Sequence, residues 1–183
     1  MPIFHETTVP VFIHYLQRLE HMLSCLDAHG SLTGEDRQVL IRRSLAPGMF
    51  DLETQARCAI GFSQRAFAPL VPACGAPIEM GEGLSGLIQA AREARHRLEG
   101  VAPSELAGKE AHVCRDRAGE AEVVLAATDF IARYALPNFF FHLSMTYAIA
   151  RAAGVPLGKG DFDGWHAYAP GFSFVGEGDR GGA

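Results

Sequence analysis

The chain has 183 residues, a formal charge of −5, and 20% charged against 48% hydrophobic residues, which suits one domain with one core and leaves too little for a second. Its basic residues are dispersed, and the densest group, Arg92, Arg95, His96 and Arg97, alternates with Glu93 and Glu99 as a solvated helix face does, so no nucleic-acid stripe is expected. No apolar run approaches the ~20 residues of a membrane span, and Met1-Pro2-Ile3-Phe4-His5-Glu6 lacks the charged-then-apolar order of an export signal, so a cytoplasmic protein without a membrane partner is expected.

Phe12, Leu16, Leu19, Leu23 and Leu26 recur every three or four residues. They predict a first helix with one apolar stripe, Pro10 in its first turn and Gly30 at its stop. His14 and His21 share the opposite face and are expected in solvent, not as ligands. A short helical connector is expected over 35–45, around Val39, Leu40 and Leu45, closed by Pro47-Gly48. Asp51 then suits the N-cap of a second long helix, with Glu53 at the positive end of its dipole. Its inner stripe is Leu52, Ala56, Ala59, Ile60, Ser63, Phe67 and Leu70. Gln55 falls at the edge of that stripe, and Pro69 and Pro72 end the helix.

Residues 72–83 read as a loop. A third helix follows from about Leu84 to Leu98, with Leu87, Ile88, Ala91 and Ala94 inside. The period then changes, and 112–115 with 120–125 read as a small hairpin around Asp116-Arg117-Ala118-Gly119. Thr128-Asp129 opens a short helix to Tyr134. Pro137 marks a restart, because proline is poorly tolerated inside a helix but suits its beginning. The fourth long helix runs from Pro137 to Ala153 and ends at Gly154. Phe139, Phe140 and Phe141 fan around its axis, as in a helix placed in mid-core. The expected organisation is a domain over 1–164 and a glycine- and aromatic-rich tail over 165–183, with Trp165, Tyr168, Phe172 and Phe174. The predicted fold is all-α: an up-down four-helix bundle with a small β-hairpin insertion between the third and fourth long helices.

Leu136-Pro137-Asn138-Phe139-Phe140-Phe141-His142 is the most informative string. Asn138 and His142 are four apart, and Met145 continues their side of the helix. Burying either polar group unpaired costs on the order of 1–3 kcal/mol, so each needs a partner. Gln55, the backbone or another side chain serves if His142 is a core histidine; a ligand or metal serves if it lines a pocket. The candidate ligand pocket is Gln55, Asn138 and His142, walled by Phe62, Phe141 and Met145. Cys25, Cys58, Cys74 and Cys114 are too widely spaced for a zinc ribbon or a redox pair and are expected as reduced thiols. Gly158-Lys159-Gly160 lacks the rest of a phosphate loop.

Several strings carry a resemblance. They are Thr8-Val9-Pro10-Val11-Phe12, Leu45-Ala46-Pro47-Gly48-Met49-Phe50, Leu136 to His142, Tyr147-Ala148-Ile149-Ala150-Arg151, and Gly154-Val155-Pro156-Leu157-Gly158-Lys159 followed by Asp161-Phe162. Spread over residues 7–164, they resemble the uncharacterised bacterial family catalogued as domain of unknown function nineteen-ninety-three, within the DinB-like superfamily of four-helix bundles. Asp163 departs from the pattern, which has an apolar residue there.

The superfamily resemblance implies a divalent metal on three histidines, one on helix two and a His-x-x-x-His pair on helix four. Metal-bearing members look like metal-dependent hydrolases or thiol S-transferases. Carried over by position, His142 matches the second histidine of the pair, Asn138 stands at the first, and Gln55 stands at the helix-two histidine. Amide oxygens are poorer ligands for zinc or nickel than imidazole, while amides and imidazole can satisfy one another. The expectation is therefore a degenerate metal site and no cofactor, with zinc, nickel or manganese on His142 as the alternative. Related bundles pair, which implies a homodimer. The expected function is non-catalytic, either small-ligand binding or self-association; the alternative is a metal-dependent hydrolase or thiol S-transferase using His142 as a surviving ligand.

Overall fold

A computed structural model of the protein describes residues 3–169. Helix α1 (Ile3–Thr33) buries Phe12, Leu16, Leu19, Leu23 and Leu26 completely. It begins well before Pro10, because Phe4 and Val9 are also core residues and their burial draws the preceding turns into the helix. Pro10 thus lies inside α1 and not in its first turn. The carbonyl that loses its donor to the proline ring is that of Glu6, on the exposed side of the helix, where solvent can reach it. Gly30 does not stop the helix either; Gly34, at φ 74°, does so after Thr33. Gly30 serves close approach: a Cβ there would lie 3.1 Å from the Glu35 carbonyl oxygen and 3.2 Å from Arg37 Cδ.

Helix α2 (Arg37–Ile41) is capped by Asp36 and buries Leu40 and Ile41. Helix α3 (Leu52–Arg65) starts at Asp51, whose carboxylate accepts from the Thr54 N–H at 2.8 Å. The whole predicted stripe of α3 is buried, with Phe67 and Leu70 in the turn beyond its end. The expected 72–83 loop contains one helical turn, α4 (Pro72–Gly75), started by Pro72. Helix α5 (Gly83–Glu99) and the single turn α6 (Pro103–Leu106) follow.

Strands β1 (Val113–Ala118) and β2 (Ala121–Ala126) pair antiparallel, with Ala118 opposite Ala121. The hairpin turn is therefore the two residues Gly119-Glu120, and Asp116 and Arg117 belong to the strand. Gly119 at φ 61° supplies the left-handed first position that a two-residue hairpin loop favours.

The chain does not restart at Pro137. A short helix α7 (Ala127–Asp129) widens into a π-helical stretch, Phe130–Ala135, which runs directly into α8 (Leu136–Ala152). The Leu136 N–H bonds the Ile131 carbonyl five residues back. Pro137 has no N–H and its ring crowds the carbonyl four residues earlier, so a wider turn just before it relieves the conflict without breaking the axis. Phe139 is fully buried, whereas Phe141 is 55% exposed. Helix α8 is thus not surrounded by core on every side. Helix α9 (Lys159–Asp163) is the last helix of the described residues.

Helix α1 packs on α5, α5 on α3, and α3 on α8, while α9 lies along α1. The rings of Phe67 and Phe139 meet Phe12 at 5.4 and 5.0 Å between centroids, joining α1, α8 and the turn after α3 at the centre of the core. The result is a mostly helical fold with one two-stranded antiparallel sheet. Among the described residues no helix is long and apolar enough to cross a membrane. Of the aromatic tail, Trp165 and Tyr168 are exposed; Phe172 and Phe174 lie outside the described residues.

Candidate functional site

The N-terminal half of α8 lies against the first turns of α3, and this brings His142 to Gln55. The His142 Nδ1–H donates to Gln55 Oε1 at 2.7 Å. Gln55 is 2% exposed and His142 8%. Burial lowers the His142 pKa below the usual imidazole range, because desolvation disfavours the charged ring. A neutral ring with its proton on Nδ1 suits an amide-oxygen partner. The Phe62 ring stacks over the imidazole at 5.6 Å, and Phe141 meets it edge-on at 5.1 Å. Met145 is half-buried one turn on.

Asn138 does not join this pair. Its side-chain amide donates to the Tyr134 carbonyl of its own helix at 2.7 Å, so the polar cluster has two members and not three. The i−4 backbone bond is a local competitor that needs no tertiary approach, and Asn138 is only half-buried. Clefts open elsewhere. One of about 190 Å3 is lined by residues that include Ile60, Gln64, Arg65, Cys74 and Met80, and another, of about 300 Å3, by residues that include Phe4, Thr8, Phe12, Ile131 and Leu136. Neither is lined by Gln55, Asn138 or His142.

The hairpin braces the C-terminal end of α3. Arg65 Nε donates to Asp116 Oδ2 at 2.9 Å, and its Nη2 donates to the Arg117 carbonyl and the Tyr134 hydroxyl, both at 2.9 Å. The guanidinium lies 4.4 Å from the Phe62 ring centroid, a cation–π contact that helps hold the ring stacked on His142. This network joins residues far apart in sequence and has no periodic signature.

A second polar cluster lies where α9 crosses α1. His14 and His21 are not free in solvent; both are half-buried. His14 donates from Nε2 to the Asp163 carbonyl, and His21 from Nε2 to Asp161 Oδ1, each at 2.7 Å. Cys25 Sγ is 3.6 Å from His21 Nε2. Asp161 Oδ2 also accepts the Gly158 N–H at 2.7 Å. Burial opposes ionisation of Asp161, but that backbone bond and the His21 contact outweigh it and hold the carboxyl below its usual range. For Cys25, burial and the nearby Asp161 charge raise the thiol pKa against the pull of Arg18.

The departure at Asp163 has its reason here. Its Oδ1 accepts the Trp165 and His166 N–H groups at 2.8 and 3.0 Å. The His166 N–H, aided by the Trp165 N–H, lowers the carboxyl to about 2. The spacing of His14, His21 and Cys25 on one helix face was the visible trace of this cluster; the partners of the two histidines lie more than a hundred residues away.

No curated protein matches the sequence. Among solved structures, the chain is similar to a DinB family member protein from Shewanella denitrificans. The match has 26% identity and a TM-score of 0.77, and it covers 91% of this chain and 95% of that one. The model of a family described as a domain of unknown function, DUF1993, matches residues 4–163. The chain therefore belongs to the DUF1993 family, with a DinB-like helical fold.

Proposed function

We propose that this protein is a non-catalytic member of its family, an up-down four-helix bundle in which the metal position has become a hydrogen-bonded pair. The observation that carries the reading is the 2.7 Å bond from His142 Nδ1 to Gln55 Oε1. It engages the oxygen that a metal would need, while Asn138 spends its amide on the Tyr134 carbonyl. One imidazole and two amides do not fit a transition-metal centre, since these ions prefer imidazole and thiolate to neutral amide oxygen. The decisive experiment follows the His142 ring nitrogens by NMR during titration with zinc, nickel and manganese. The expected result is no change at His142. A metal-induced shift or broadening there would overturn the reading in favour of a metal-dependent hydrolase or thiol S-transferase.

The same scaffold binds a small ligand in this reading. The supporting feature is the apolar cleft of about 300 Å3 beside the π-helical stretch, at the lower end of the ~300–1,000 Å3 usual for ligand pockets. Ala132→Trp fills that cleft. Saturation-transfer NMR with a panel of small aliphatic and aromatic alcohols should show binding to the wild type and not to this variant. No binding to the wild type would remove the ligand reading.

Self-association is the second reading. It is favoured by Leu45, Met49 and Phe50, which are exposed together in the loop between α2 and α3.

A further inference from the structure

Three ligand-type atoms from opposite ends of the chain converge where α9 lies on α1. Cys25 Sγ, His21 Nε2 and an Asp161 carboxylate oxygen all fall within 4.8 Å of one another. We propose that His21, Cys25 and Asp161 form a binding site for a zinc-class divalent cation that fastens α9 to α1, with a fourth position open to water.

The spacing is the first argument. His21 and Cys25 are i and i+4 on α1, so their side chains project from one face a single turn apart. In a tetrahedral zinc site with Zn–N of about 2.0 Å and Zn–S of about 2.3 Å, nitrogen and sulfur sit about 3.5 Å apart; Cys25 Sγ and His21 Nε2 are 3.6 Å apart. An oxygen and a nitrogen in such a site sit about 3.3 Å apart. The 2.7 Å His21–Asp161 hydrogen bond therefore opens by about 0.6 Å to admit the ion, a side-chain adjustment for two half-buried groups.

Orientation is the second argument. Asp161 Oδ2 is held by the Gly158 N–H, which leaves Oδ1 turned toward His21. The carboxyl is already ionised at neutral pH. A mixed sulfur, nitrogen and oxygen set selects zinc or cobalt over magnesium and calcium, which take oxygen ligands. Burial and the Asp161 charge raise the Cys25 thiol against the pull of Arg18, so the thiol proton leaves only as the ion binds. Proton balance is simple. On binding, His21 offers Nε2 to the ion with its proton carried on Nδ1, and Cys25 releases its thiol proton to solvent. The site also has a mechanical use: α9 has five residues, too few to hold a helix without outside contacts.

The test is cobalt titration of the reduced full chain without an affinity tag, followed by displacement with zinc and by mapping of thiol alkylation. The expected results are one cobalt per chain with thiolate-to-cobalt charge-transfer absorption, and protection of Cys25 from iodoacetamide by zinc while the other half-buried thiol, Cys58, is unaffected. Cys25→Ser should weaken zinc binding by more than the roughly 10–100-fold that loss of an outer-shell partner costs. Absence of the charge-transfer band, equal alkylation of Cys25 with and without zinc, or unchanged affinity in Cys25→Ser would overturn the proposal. If Cys25→Ser does not fold by circular dichroism, the wild-type alkylation result decides. His142 is on another face of the fold's packing, so its NMR response and the Cys25 protection report the two sites separately.

Discussion

Removing His142 leaves Gln55 Oε1 without its donor in a site that is 2% exposed. His142→Ala should therefore cost about 1–3 kcal/mol, the penalty of an unmet buried polar group. Urea unfolding checks this through a lower midpoint at unchanged slope. Replacing both partners by leucine should cost less than the two single changes summed, because no polar group is then stranded. The pair also makes stability depend on pH. The folded pKa of His142 lies below its ordinary 6.5, so below that value the unfolded chain binds more protons than the folded one. Stability consequently falls as pH drops through about 6.5 toward the folded pKa, and levels off beneath it. His142→Gln keeps an amide donor for Gln55 and removes the titration. The stability advantage of wild type over His142→Gln should shrink from pH 7.5 to 5; an advantage that stays constant would mean the ring titrates normally.

At the level of elements, one contact sets how the long helix α5 is entered and another how the short helix α9 is left. A Cβ at Gly86 would lie 2.8 Å from Gly81 Cα and closer still to the Gly81 carbonyl. Arg57 holds that same loop through bonds to the Met80 and Gly81 carbonyls at 3.1 and 2.9 Å. The loop has nowhere to retreat, so Gly86→Ala should destabilise by about 1–3 kcal/mol, as overpacking does, measured by the same unfolding curves. At the other end, Asp163 caps the turn after α9 through its bonds to the Trp165 and His166 N–H groups. Its carboxyl is lowered from 3.8 to about 2, so this contribution is complete above pH 3.8 and is lost as pH falls through about 2. Asp163→Asn at pH 7 should speed hydrogen exchange at Trp165 and His166 while leaving the α3 amides protected. Equal exchange in variant and wild type would sink the capping role. Helices with a repeated apolar stripe, such as α1 and α3, were legible in the sequence because burial of that stripe decides their faces. Asp51 was legible because capping is local. The π-helical passage into α8 was not: Pro137 signals a conflict with the preceding turn, and the sequence does not say whether a break or a widened turn resolves it. The same limit explains the polar clusters. Gln55 was one of several partners open to His142 and was singled out by the family resemblance, whereas Asn138 chose a backbone partner four residues away, and the α1–α9 contacts depend on where a five-residue helix comes to rest.

For the whole molecule, the remaining question is what its exposed apolar surface meets. Leu45, Met49 and Phe50 are 42%, 40% and 55% exposed, and they sit within one loop whose far end is fixed by the Asp51 cap of α3. A scattered exposed hydrophobe needs no explanation, but three on one short, anchored segment form a patch of the kind that marks an interface. The formal charge of −5 on 183 residues is too small to keep two copies apart at physiological ionic strength, where exposed charges are screened beyond about 8 Å. A two-fold pair places this loop against its counterpart or against an apolar surface of the partner, and either arrangement is self-complementary. Light scattering coupled to size exclusion should therefore report about twice the 19.7 kDa chain mass. Phe50→Asp should return the protein to a monomer, since an unpaired carboxylate at the centre of such a contact is costly to bury. The variant should keep its helical circular dichroism, because Phe50 lies outside the core. A wild-type monomer across a hundredfold concentration range would remove self-association; a Phe50→Asp dimer would move the interface away from this loop.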